Sequence, residues 1–144
     1  MTAGYLLDTN LLVGALDGEP GNPLHAQAKE RLRELLISSD TRLAITPLIR
    51  YEVLRGVRRQ PREAVESALD QFIEFDIRRD DAELAARTYA QALAGGSKLD
   101  KRSFDLFHCV AAYRNQLEVA SRDGDIPKIM EVLKQVSPVD PVSA

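Results

Sequence analysis

The sequence predicts an α/β fold, a three-layer α/β/α sandwich with a central parallel sheet. Short apolar runs alternate with longer segments of helical period throughout the chain, and parallel neighbours need helical crossovers between them. The 144 residues, 44% hydrophobic and 28% charged, suit one compact domain, expected to cover residues 1–144. Paired cap signals, Asn22-Pro23 and Thr46-Pro47, mark two helix starts.

Taken in order, Tyr5-Leu6-Leu7 is a short buried strand that stops at Asp8-Thr9-Asn10. A short apolar segment through Leu16 leads into Asp17-Gly18-Glu19-Pro20-Gly21, which reads as a mobile loop. Behind Asn22-Pro23, the spacing of Leu24, Ala28, Leu32, Leu35 and Leu36 predicts a long helix. Leu43-Ala44-Ile45 is the second strand, and the helix opened by Thr46-Pro47 runs to about Gly56 and carries Glu52. Ala64 to Phe72 predicts another helix, and the alternation of Phe75 and Ile77 a strand. Asp80 or Asp81 is expected to cap a helix that Gly95-Gly96 stops. Ser103 to Gln116 then reads as helix, Leu117 to Ala120 as strand and Ile126 to Lys134 as helix, with an edge strand expected at Val136 to Val139.

Composition narrows the function classes. No apolar run approaches the roughly 20 residues that span a bilayer, so no membrane role is expected and the chain reads as cytoplasmic. The single cysteine, Cys109, excludes an internal disulfide and a CxxC metal site, and reads as a small buried hydrophobe. A net charge of −3 gives no bulk basic field, so nucleic-acid binding would have to be local. Arg50, Arg55, Arg58 and Arg59 offer such a phosphate-binding edge, although an arginine run also suits a solvated helix face.

In an open parallel sheet, ligands bind outside the carboxyl ends of the strands. Four acids gather there. Asp8 follows the first strand and Asp123 the last, while Glu52 and Asp105 lie early in helices that start at that edge. Four converging carboxylates repel one another unless a cation holds them. An all-oxygen set favours Mg²⁺ or Mn²⁺ over Zn²⁺, and such ions suit phosphodiester hydrolysis.

The motifs around these acids carry a resemblance. Leu6-Leu7-Asp8-Thr9-Asn10 resembles the opening motif of PIN domains, and Ile49 to Gly56, with Glu52 inside it, resembles their second. Asp105 with Ala111-Ala112 resembles the third, and Ala120 to Ile126, containing Ser121 and Asp123, the fourth. At this length the chain is most similar to VapC-type toxins of toxin–antitoxin pairs. That resemblance implies a Mg²⁺-dependent endoribonuclease acting on RNA, held by a cognate antitoxin and forming a homodimer. It implies that Asp8, Glu52, Asp105 and Asp123 bind metal, that Asn10 and Ser121 orient carboxylates, and that Asp125 assists. His108, Cys109 and Ile126 depart from the family's usual residues.

The remaining candidates read more plainly. His108 is expected to be a hydrogen-bonded core residue, and Asp100 a helix cap rather than a metal ligand. Ser121 lacks a partnered histidine for nucleophilic catalysis. A haloacid-dehalogenase-type phosphatase with Asp8 as nucleophile would want an acid where Asn10 stands. A binding module that does not cleave, or a housekeeping RNA-processing nuclease, stays open from the sequence.

Overall fold

The computed structural model describes residues 4–38, 40–121 and 124–136. The elements run β1 (Gly4–Leu7), α1 (Thr9–Leu16), α2 (Pro23–Ile37), β2 (Arg42–Ile45), α3 (Pro47–Arg55), α4 (Arg62–Leu69), β3 (Ile73–Glu74), α5 (Arg79–Ala94), a 3-10 turn (Asp100–Arg102), α6 (Ser103–Arg114), β4 (Glu118–Ala120) and α7 (Asp125–Val136). The sheet has the order β3-β2-β1-β4 and every pairing is parallel. Helices flank it, giving the α/β/α sandwich.

β1 lies centrally, with Tyr5 level with Leu43 on one side and Glu118 on the other. Its Leu6 and Leu7 are fully buried, as expected for a strand covered on both faces. The apolar interior forms two clusters. One joins β1 and β2 to α1–α4, and the other joins α5, α6 and α7. α6 contributes to both, through Ala111 and Ala112 in the first and Cys109 and Val110 in the second. α1 and α2 approach closely at Gly14, where a Cβ would stand 2.8 Å from that of Ala28.

The two cap signals act as read. Asn22 accepts hydrogen bonds from the amides of Leu24 and His25, and Thr46 from that of Ile49. Asp81 serves α5 from inside its first turn, where it accepts from the Arg78 amide at 2.9 Å. Buried there, it also holds the Arg114 guanidinium of α6.

Three expectations need correction. The third strand is Ile73–Glu74, earlier than the Phe75/Ile77 alternation implied, because both its residues are exposed and backbone pairing to Ala44 and Ile45 defines it. The Asp17–Gly21 loop is tied down. Asp17 accepts three backbone hydrogen bonds of 2.7–2.9 Å from Arg58, Arg59 and Gln60, and the Glu19 amide donates to His25 Nδ1 at 2.8 Å. Asp100 does not cap α6, because its carboxylate accepts from the Tyr89 hydroxyl at 2.7 Å. The edge strand expected at Val136 to Val139 lies outside the described residues apart from Val136, which ends α7.

Candidate active site

Parallel pairing brings the carboxyl ends of β1 and β4 side by side, with Leu7 level with Ala120. Asp8 leaves β1 at that edge in an extended conformation and stands at the start of α1. Asp8 is 3% exposed and its side chain does not cap the helix; Ser121, just past β4, donates its hydroxyl to Asp8 Oδ2 at 2.7 Å. Burial pushes the Asp8 carboxyl above the usual aspartate range, and nearby Asp105 adds to the rise. The Ser121 hydrogen bond and the field of His108 oppose it without reversing it.

Asp105 and His108 stand one turn apart on α6, so both face the same way. A ligand atom from each of Asp8, Asp105 and His108 lies within 4.8 Å of the others. Glu52 reaches the group from α3 by way of hydrogen bonds. Thr9 Oγ1 donates to Glu52 Oε1 at 2.7 Å, and His108 Nε2 lies 2.7 Å from the same oxygen. A carboxylate only accepts, so Nε2 carries the hydrogen. Burial alone would raise the Glu52 carboxyl, but the bonds from His108 and Thr9 outweigh it and hold it below the usual range. With both donors on Oε1, Oε2 is the oxygen that Glu52 has left for a ligand.

His108 is thus both buried and part of the cluster, which the reading of a core histidine covers only in half. Its Nδ1 is buried without a hydrogen-bond partner among the described residues. Asp105 is balanced on its other side by Arg102, at 3.1 Å, and the same guanidinium pairs with Asp125 in the first turn of α7. Asp125 therefore connects to the cluster through Arg102, and also meets Lys128 at 3.6 Å.

The other expected residues fall differently. Asp123 lies outside the described residues. Asn10 is exposed on α1 and makes none of these bonds; Thr9, about 100° away around the helix, holds Glu52 instead. Arg50 is not at the cleft. It pairs with Glu74 at 2.7 Å and Asp70 at 3.1 Å, fastening α3 toward β3. Arg58 and Arg59 wrap the far end of α1, roughly 12 Å of helix from Asp8. Arg55 alone of that group lines the cleft, beside Glu52, Arg102 and Asp105.

Sequence reasoning missed Thr9 and Arg102. The signals that could have found them are adjacency to Asp8 for Thr9 and, for Arg102, its position three residues before Asp105.

The cluster fits a divalent cation: the Asp8 and Asp105 carboxylates converge beside His108, whose Nε2 is engaged by Glu52, and a positive charge there would offset the burial that raises the Asp8 carboxyl. Among the described residues no helix is long and apolar enough to cross a membrane.

Comparison with known proteins agrees with this architecture. A search of curated proteins gave no match. Among solved structures, the chain is similar to VapBC2 from Rickettsia felis bound to a DNA fragment from their promoter, with 18% identity and a TM-score of 0.64 over 88% of this chain and 92% of that one. At that identity the likeness speaks to the fold. The PIN domain family matches residues 5–132, so the chain belongs to the PIN domain family.

Proposed function

We propose that the chain is a metal-dependent endoribonuclease and the toxin of a toxin–antitoxin pair, with residues 1–144 forming one domain. The observation that carries the reading is the convergence of buried Asp8 with Asp105 and His108 at the carboxyl edge of a parallel sheet. The similarity to a VapBC2 assembly supports the toxin part, with a cognate antitoxin, a homodimeric state and a cytoplasmic location following from the same reading.

Asp8, Asp105 and Glu52 Oε2 would hold the cation, with Asp123 as a fourth ligand, and Mg²⁺ or Mn²⁺ suits this oxygen-rich set. A cation bound there supplies charge neutralisation at the phosphate and lowers the pKa of an attacking water. Ser121 fixes the rotation of the Asp8 carboxylate, and Thr9 with His108 fixes that of Glu52. Arg102 holds Asp105 from the side. Asp8, Glu52 and Asp105 are thus each pre-oriented by a donor on a different element, which is what a rigid ligand set requires.

The direct test is cleavage of a mixed structured RNA pool by the purified chain with Mg²⁺ or Mn²⁺, beside an EDTA control. Cleavage that depends on the added metal is expected. Binding of RNA and metal with no cleavage over a wide substrate range would instead favour a binding module.

His108 acts here as a positioning residue for Glu52. His108→Leu is expected to weaken Mn²⁺ binding roughly 10- to 100-fold, read by titration calorimetry on the full chain. His108→Gln, which restores an N–H donor, should recover part of that loss. Equal Mn²⁺ affinity in wild type and His108→Leu would mean that Glu52 keeps its orientation without the imidazole.

A further inference from the structure

Beside the acids, a hollow of about 300 Å³ is lined by Glu52, Arg55, Lys101, Arg102, Phe104 and Asp105. Next to Phe104 and Arg55, Tyr51 is 52% exposed and belongs to neither apolar cluster. Its ring meets that of Phe104 edge-on, with centroids 6.1 Å apart and planes at 89°. Arg55, one turn after Tyr51 on α3, places its guanidinium 5.2 Å from the Tyr51 ring centre and 5.8 Å from that of Phe104. α3 and the first turn of α6 therefore present an aromatic corner with a cation laid across it.

The charges set this corner apart from the paired arginines. Arg50, Arg59, Arg62, Arg102 and Arg114 each have a carboxylate within ion-pair distance. Among the described residues neither Arg55 nor Lys101 does, although both face the hollow. Arg55 is held by ring faces, which fix its position and leave its N–H groups available to an anion.

We propose that Tyr51, Phe104 and Arg55 seat one unpaired base of an RNA strand, next to the phosphate that the carboxylates act on. The proposal rests on the ribonuclease reading and assigns to three named residues the place where the strand is gripped. A half-exposed ring offers a stacking face to any base, and Arg55 with Lys101 offers charge to the adjoining phosphates. A base inside a duplex has both faces covered and cannot enter. Stacking tolerates every base, so the seat selects unpaired structure ahead of sequence.

The experiment measures fluorescence anisotropy of a short labelled RNA against the full chain in EDTA, single-stranded and as its duplex, in parallel with cleavage of the same strands in Mn²⁺. Tighter binding of the single strand is expected, and Tyr51→Ala should weaken it roughly tenfold. Arg55→Gln should reduce the salt dependence of binding by roughly one phosphate contact. Circular dichroism of both variants reports whether the fold is kept. If wild type cuts RNA and neither variant alters binding or KM, the base seat is wrong while the nuclease reading stands. If wild type binds single strands through Tyr51 yet cuts nothing, the seat stands and the nuclease reading falls. Absence of RNA binding and cleavage together overturns both, and would assign this face to a protein partner.

Discussion

Asp8→Asn is expected to lower RNA cleavage by roughly 10³-fold while leaving the protein at least as stable as wild type. The two halves have one cause. Asp8 is buried, and burial raises its carboxyl above the usual range, with Asp105 contributing repulsion. A carboxyl whose folded pKa is raised destabilises the fold as pH climbs through the unfolded value near 3.9 toward the folded one, and the full penalty persists above that. Above the unfolded value the folded chain therefore carries a penalty from the buried Asp8 carboxyl. Asparagine keeps the shape and can accept from Ser121, but it is neutral, so that cost disappears. What disappears with it is the negative ligand that the proposed reading gives the cation, and several kcal/mol of transition-state stabilisation converts to about three decades of rate. Cleavage rates with Mn²⁺ and urea unfolding of both proteins check the pair of outcomes. A variant that is inactive and strongly destabilised would show that the Asp8 charge supports the fold.

Asp17→Ala is expected to destabilise the chain by about 2 to 4 kcal/mol, since hydrogen bonds to a charged acceptor contribute more than neutral ones and three amides would be left without theirs. Here the sign with pH is opposite to that of Asp8. Burial would raise the Asp17 carboxyl, but the amides of Arg58, Gln60 and Arg59 overcome it and hold the group below its ordinary value. A depressed folded pKa contributes stability that is present above the unfolded value, near 3.9, and is lost as pH falls through the folded one. Wild type should accordingly lose stability on acidification below about pH 4, and Asp17→Ala should lose less over the same interval. Urea unfolding at neutral pH and at stepwise lower pH reads both effects. Parallel curves for the two proteins would show that Asp17 takes no part in the acid response.

The contrast between these two aspartates shows how far the sequence could be read. Both follow an apolar run and precede polar residues, and by spacing alone each looks like a turn residue. Asp8 was separable because it ends a strand at the edge where Glu52 and Asp105 also arrive, an argument that needs only the order of the elements. Asp17 was not, because its partners lie 41 to 43 residues away and are backbone amides, which no residue type announces. The same division holds elsewhere. Local chemistry exposed the Asn22 and Thr46 caps, whose partners are two or three residues on. It could not expose Tyr89 reaching Asp100, or Arg50 turning to Glu74. β3 escaped because an edge strand exposed on both faces has no alternation to show. At the cleft, position along the helices pointed to the acids, while Thr9 and His108, the donors that orient Glu52, depend on how α1, α3 and α6 meet.

α6 carries Asp105 and His108 on one face and supplies side chains to both apolar clusters on others. It is a wall common to two rooms. A cavity opened in either cluster, at Leu12 on one side or Leu133 on the other, would let that wall shift and would move both cleft residues with it. The geometry of the cleft is thus a running check on the soundness of the whole interior, and substitutions far from any carboxylate should be felt there first.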